Sequence, residues 1–245
     1  MEQRNIDKVF DSEIQQVSDF KFESKVVNVF DDMVNRSVPF YDEIQRMITE
    51  LAASHARPNS RVYDLGCSTG TSLIALDPLV DPTVEFVGID DSAEMIQRSE
   101  LKFDQAGITR PHELVVGDIN NDSKIENASV VIMSLTLQFV RPTHRSKIVE
   151  QIFKGLNPGG CFILIEKVLT DHSLFNRDFI KYYYNYKRRN GYSEMEISQK
   201  REALENVLIP YTVAENTQML HDAGFDGCEM FFKWYNFSGL IAFKK

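Results

Sequence analysis

Ten residues constrain this chain more than any others: Arg61-Val62-Tyr63-Asp64-Leu65-Gly66-Cys67-Ser68-Thr69-Gly70. A short apolar run ends in an acid, breaks at one glycine and meets a second before a helical pattern begins. That order predicts a strand, a tight turn and the N-terminus of a helix. Glycine is needed where a turn demands unusual dihedrals or where backbone must lie close to a ligand. The free N–H groups at a helix start favour a carboxylate or phosphate. The dinucleotide pattern is G-x-G-x-x-G, whereas here Gly66-x-Ser68-x-Gly70 follows Asp64. The bland alternative is a glycine turn that merely joins a buried strand to a helix.

The same arrangement recurs downstream. Residues 84–90 read as a second buried strand ending in Asp90, 24 residues after Gly66, near the spacing at which such folds place a carboxylate on ribose hydroxyls. Asp91-Ser92 also suits the cap of a helix beginning at Ala93, and the two roles are compatible. Strand 113–116 leads to Gly117-Asp118-Ile119. An Asp there can accept from an adenine amine while the adjacent backbone N–H donates to the ring. Strand 129–135 is apolar enough to be buried on both faces. Thr136-Leu137-Gln138-Phe139 follows it, then helix 143–156, a stop at Asn157-Pro158-Gly159-Gly160 and strand 161–166. Strands alternate with helices, and the acidic or glycine-bearing positions fall at strand carboxyl ends, the crevice where open α/β sheets bind ligands. Together these positions predict an α/β fold with a nucleotide-like ligand.

The flanks are less regular. Residues 1–30 scatter Phe10, Phe20, Phe22 and Phe30 through a charged background, as a helical or irregular cap would. Pro39 predicts an extended or turning segment carrying Arg36 and Tyr41 just before a helix over 42–53. Loops held by a rigid scaffold often contact ligands, and surface packing explains this segment as well. A helix over 178–189 spaces Phe179, Tyr182, Tyr183 and Tyr186 as a packed face does. At its end, Lys187-Arg188-Arg189 reads as a solvated helix end rather than a nucleic-acid patch. Ser193 and Glu196 form a capping-box pattern before a helix that holds Lys200 and Arg201. The chain closes with helix 213–223, Gly224 as its C-cap, and strands 227–234 and 237–243 joined tightly at Tyr235-Asn236. No repeat or linker interrupts residues 1–245, so one domain is expected, with a cap segment at 1–41 and a helical lid insertion at 167–206.

Charge and cysteines narrow the function classes. With 27 basic and 36 acidic residues the formal charge is −9, which disfavours nonspecific attraction to nucleic-acid phosphates. No stable nucleic-acid partner is expected. Cys67, Cys161 and Cys228 lack metal spacing, so no metal site is expected. They fit a reducing compartment, with Cys161 and Cys228 as apolar strand fillers. Neither an apolar signal core nor a run of membrane-spanning length is visible; a cytoplasmic protein without membrane association is expected.

The Asp64-x-Gly66-x-Ser68-x-Gly70 form resembles motif I of class I S-adenosylmethionine (SAM) enzymes. Further stretches together resemble one family, the carboxy-S-adenosylmethionine synthases. They are Asp32-Met33-x-x-Arg36-Ser37-Val38-Pro39-x-Tyr41, Leu135-Thr136-Leu137-Gln138-Phe139 and Gly155-Leu156-Asn157-Pro158-Gly159. Asn190-Gly191-Tyr192-Ser193-Glu194, Ile197-Ser198-Gln199-Lys200-Arg201 and Leu204-Glu205-Asn206-Val207 complete the set. The motifs around residues 190–207 and the Arg-Ser-Val-Pro segment are absent from ordinary methyltransferases.

The resemblance implies a Rossmann-like class I methyltransferase fold: a mostly parallel seven-stranded sheet with helices on both faces, a C-terminal antiparallel hairpin and a small helical lid. It implies conversion of SAM and prephenate to carboxy-SAM and phenylpyruvate, with the carboxylate lost from prephenate ending on the sulfonium methyl carbon. A tRNA carboxymethyltransferase would then use the product at the wobble uridine, and the synthase would be a homodimer. Carried over by position, Tyr41, Gly66, Cys67, Ser68, Asp90, Asp91, Asp118, Ile119 and Ser134 would line the SAM pocket. Arg201 would bind the new carboxylate and serve catalysis, since a guanidinium holds a carboxylate through two parallel hydrogen bonds. On residues alone, Arg201 reads rather as a helix-surface partner of Glu205. At Ser134 and Asp91 the family usually has Asn; the shorter Ser134 would reach its ligand through water, and Asp91 loses a donor. The alternatives are a conventional SAM-dependent methyltransferase and a non-catalytic SAM-binding partner of a tRNA-modifying enzyme.

Overall fold

The computed structural model of the chain describes residues 6–12, 24–121 and 124–245; Phe20 and Phe22 lie outside them. A short helix α1 (Ser24–Val27) precedes α2 (Phe30–Ser37) and α3 (Tyr41–His55). The extended segment expected around Pro39 is therefore confined to residues 38–40. Asp31 and Asp32 occupy the first turn of α2 and Arg36 its last, a charge order that complements the helix dipole. Met33, Val34 and Ser37 form its buried face. Pro39 disfavours helical geometry just before it, and the chain turns through Phe40 in the left-handed region, at φ 56°.

The central part runs β1 (Arg61–Leu65), α4 (Thr71–Leu76), β2 (Glu85–Asp90), α5 (Ala93–Ala106), β3 (His112–Val116), β4 (Ala128–Ser134), α6 (Pro142–Gly155) and β5 (Leu156–Leu169). The four pairings among these strands are parallel. The inner strands are buried on both faces, and successive side chains enter opposite core clusters with the period of two that a pleated strand imposes. Tyr63, Val131 and Phe162 enter one core cluster with Ile148 of α6. Val62, Ile132 and Ile163 enter the opposite one with Ile48 of α3. β5 starts five residues earlier than the Asn157-Pro158-Gly159-Gly160 stop allows. Those four residues bulge out of the ladder, since Ala128 pairs with Leu156 and Val130 with Cys161.

The rest of the chain adds α7 (Ser173–Arg189), α8 (Glu194–Leu204), β6 (Tyr211–Thr212), α9 (Val213–Asp222), β7 (Gly227–Trp234) and β8 (Phe237–Phe243). The sheet order is β3-β2-β1-β4-β5-β8-β7, with antiparallel pairing from β5 to β8 to β7. Seven strands make this path, as the resemblance implies; β6 adds a two-residue parallel pairing to Val168 and Leu169. The Ser193–Glu196 capping box starts α8.

This order positions the site. Neighbouring strands lie about 4.8 Å apart, so the carboxyl ends of β3, β2, β1, β4 and β5 make a row roughly 19 Å long. Along it stand, in turn, Asp118, Asp90, Gly66, Ser134 and Lys167.

Candidate active site

A cavity of about 660 Å³ opens above that row, within the usual range for small-molecule sites. Every residue that the resemblance assigns to the pocket lines it: Tyr41, Gly66, Cys67, Ser68, Asp90, Asp91, Asp118, Ile119, Ser134 and Arg201.

The turn after β1 is wound through three left-handed residues, Gly66 at φ 78°, Ser68 at 49° and Gly70 at 74°. A Cβ on Gly66 would lie 2.3 Å from Thr136 Cγ2, and one on Gly70 would lie 2.3 Å from Ser99 Oγ. Both positions therefore admit only glycine. Ser68 carries the strain of a left-handed side chain, on the order of 1–3 kcal/mol, and such residues gather at ligand sites. Leu135, at φ 61°, is another in the cavity wall.

Asp90 holds this turn in place. Its Oδ2 accepts from Ser68 N–H at 2.9 Å and its Oδ1 from Ser92 N–H at 3.0 Å. Ser92 in turn caps α5 by accepting from Met95 N–H. Burial raises the Asp90 pKa, and the two backbone donors counter that rise. Asp64, 2% exposed, lines the cavity beside it; burial and the Asp90 charge push it up to about 7. The same surroundings push the Cys67 thiol well above its ordinary range, so it stays protonated and acts as wall, not nucleophile. Asp118 is exposed, and its carboxylate is oriented by Asn120 N–H at 2.8 Å and by the Asn120 and Asn121 amides.

The N-terminal helices close the near side. Thr69 Oγ1 donates to Asp31 Oδ1 at 2.9 Å, and Lys102 Nζ bridges Asp31, Thr69 and Thr71. This network pins α2 to the glycine turn. Tyr41 lines the cavity, and burial with the nearby Asp31 and Asp64 charges raises its phenol pKa. Arg36 does not line it. Its Nε donates to Asn190 O at 2.9 Å, and its guanidinium lies 4.1 Å from the Tyr192 ring centre. It fastens α2 to the loop between α7 and α8.

Sequence reasoning missed the far wall. Lys167 of β5, Lys187 of α7 and Lys200 of α8 all line the same cavity. Arg188 and Arg189 are solvated, as read, but Lys187 is 5% exposed and Lys200 7%. The available signal was periodicity: Lys187 follows the buried Tyr183 by one helical turn. Arg201 is exposed at the mouth and forms no ion pair with Glu205 among the described residues. Buried Gln138 joins the end of β4 to β5, donating to Leu135 O at 3.1 Å and accepting from Lys167 N–H at 2.9 Å. Among the described residues no group of three His, Cys, Asp or Glu side chains is placed to hold a metal ion.

The strand order, the glycine turn after β1 and the acid closing β2 define a class I SAM-dependent methyltransferase fold. The family described as methyltransferase domain matches residues 62–160. An O-methyltransferase family protein from Burkholderia thailandensis superposes with a TM-score of 0.67 over 91% of this chain at 16% identity, a likeness of fold alone; the match spans 61% of that protein. Within this class, two relatives decide the family. The carboxy-S-adenosyl-L-methionine synthase of Methylococcus capsulatus is 52% identical over 239 residues, 97% of this chain and 99% of that one. That of Campylobacter curvus is 44% identical over 238 residues, with 97% and 99% covered. The chain belongs to the carboxy-S-adenosyl-L-methionine synthase family, and is an enzyme of the transferase class.

Proposed function

We propose that this protein binds SAM in the cavity above β1–β5 and converts it, with prephenate, to carboxy-SAM and phenylpyruvate. Asp90 would accept from the ribose hydroxyls through the lone pairs its two backbone donors leave over, and Asp91 lies beside it. Asp118 would accept from the adenine amine while Ile119 N–H donates to the ring. Gly66, Cys67 and Ser68 bring backbone close to the methionine part, with Ser134 and Tyr41 across from them. The sulfonium methyl would then lie over β4, facing Arg201.

The balance of the reaction is self-contained. Prephenate loses CO2 and its ring hydroxyl as it aromatises to phenylpyruvate. The SAM methyl loses one proton, and its carbon forms a new bond to the CO2 carbon. The proton and the hydroxyl leave together as water, and no methyl is transferred. Arg201 would hold the carboxylate as it forms, through proximity and charge, while α7 and α8 act as a lid that excludes water. The observation that carries this reading is one continuous cavity with carboxylates at the β2–β3 end and cationic side chains at the β5–α8 end. A methyl transferase for a neutral acceptor has no use for the second group.

The reading extends to the surroundings expected from the family: a homodimer in the cytoplasm, feeding carboxy-SAM to a tRNA carboxymethyltransferase that modifies the wobble uridine. Mass spectrometry of the small molecule released from freshly purified, denatured protein tests the binding step. A species heavier than SAM by one CO2, lost in Arg201→Ala, is the expected result. SAM or its demethylated product alone, even after incubation with prephenate, contradicts it and favours a conventional methyltransferase.

A further inference from the structure

Beside Arg201, three lysines stand in the same cavity wall: Lys167, Lys187 and Lys200. Lys187 and Lys200 are buried, and Lys167 is partly buried at the end of β5. Lys167 Nζ and Lys187 Nζ stand 5.2 and 4.9 Å from the centre of the same Tyr183 ring. Lys200 Nζ stands 5.8 Å from the Tyr192 ring, on which Arg36 is stacked. The charges of Lys167 and Lys200 both act on Lys187. Asp7 is the carboxylate that acts on both Lys187 and Lys200, and it already accepts from Tyr192 Oη at 2.5 Å.

Gathering buried ammonium groups of one sign is costly in a fold, and such clusters in a cleft mark functional sites. Their place in the sheet says which ligand they face. From the end of β2, where Asp90 stands, to the end of β5 is three strand spacings, roughly 14 Å. A nucleoside held at Asp90 therefore leaves the lysines to a different molecule. Tyr183, Tyr184 and Phe237 supply an apolar wall beside them.

We infer that Lys167, Lys187 and Lys200 form the binding site of the anionic co-substrate, a small ring compound bearing two carboxylates that sit on the ammonium groups while its ring lies on the Tyr183 wall. One of the two carboxylates leaves the lysines as CO2 in the reaction, and Arg201 meets it once it stands on the SAM carbon. This assignment deepens the proposed function and rests on it. It separates the two partners of the reaction: acids of β2 and β3 hold the nucleoside, and lysines of β5, α7 and α8 hold the dianion.

The test is steady-state kinetics of carboxy-SAM formation in wild type, Lys187→Met and Lys200→Met, together with SAM affinity by calorimetry. Methionine keeps the length of the buried stem and removes the charge. The prephenate KM is expected to rise at least about tenfold in each variant, with SAM Kd within about threefold of wild type as the check on folding. A second measurement needs no variant: isophthalate should inhibit wild type competitively against prephenate at least about tenfold more tightly than benzoate. Unchanged KM in variants that bind SAM normally, equal inhibition by the two acids, or a loss that falls on SAM affinity instead each overturn the assignment. Wild-type protein that makes no carboxy-SAM from SAM and prephenate overturns the proposed function, and the assignment with it.

Discussion

Ser68 N–H donates to Asp90 Oδ2 at 2.9 Å, so the strained turn after β1 is held by the residue that ends β2. Two backbone amides on one buried carboxylate are charge-assisted hydrogen bonds, each contributing about 1.5–3 kcal/mol. Asp90→Ala removes both. After the relief of burying a charge, a net destabilisation of about 2 kcal/mol in urea unfolding is expected, with SAM affinity down at least about tenfold. Wild-type affinity in a folded Asp90→Ala protein would remove Asp90 from the nucleoside site.

Gly66 and Gly107 separate backbone strain from steric exclusion. Both have positive φ, 78° and 71°, but a Cβ on Gly107 meets nothing within 4 Å whereas one on Gly66 strikes Thr136. Gly107→Ala is expected to cost about 1 kcal/mol and leave SAM affinity unchanged. Gly66→Ala is expected to cost more and to abolish SAM binding measurable by calorimetry. Equal behaviour of the two variants would show that the turn tolerates a side chain.

The lysine wall sets a pH dependence whose sign follows from its pKa values. Burial pushes Lys200 down to about 8 from an ordinary 10.5, against the raising influence of Asp7 and Glu196 and with the help of Arg36. Burial also pushes Lys167 down to about 8. Between those values the unfolded chain binds more protons, so the contribution of these groups to stability is complete above 10.5 and lost as pH falls to 8. Lys200→Met is expected to be more stable than wild type at pH 7 and to show a flatter rise between pH 8 and 10 in urea unfolding. Over the same interval the wild-type prephenate KM should increase as the ammonium groups discharge. A variant less stable than wild type at pH 7 would contradict the account of Lys200.

Arg36 fastens α2 to the loop between α7 and α8 through Asn190 O, Asp7 O, Asp32 and the Tyr192 ring. Arg36→Ala is expected to accelerate amide hydrogen exchange over residues 188–200 by at least about tenfold. Arg36→Lys should not restore protection, because an ammonium offers neither the planar fork nor the stacking face. Protection equal to wild type in both variants would assign the α7–α8 position to other contacts.

Much of this was legible in the residues. The acids and glycines at strand ends pointed to the side on which the cavity opens, because a doubly wound sheet gathers its strand carboxyl ends on one side. The hairpin over Tyr235-Asn236 and the Ser193–Glu196 box were legible because turn and cap chemistry is local. Two things were not. Pro39 drew attention away from α2, an eight-residue helix whose stability comes from packing rather than from length. Lys187 sat in a basic triplet whose composition suggested solvent, while burial was decided by its helical face and by a cavity wall built from β5, α7 and α8, separated in sequence. A cavity wall made by elements so far apart is a tertiary fact, and of its cations the resemblance points only to Arg201.

In the proposed reaction the methyl carbon of SAM receives a carboxylate and stays on sulfur. The most direct measurement is 13C NMR of the product formed by the purified enzyme from methyl-13C SAM and prephenate labelled with 13C in its ring carboxylate. The account predicts a carboxy-SAM in which the two labelled carbons are bonded and show one-bond coupling. Labelled methyl on an acceptor, or labelled CO2 released to solvent with SAM unchanged, would contradict it.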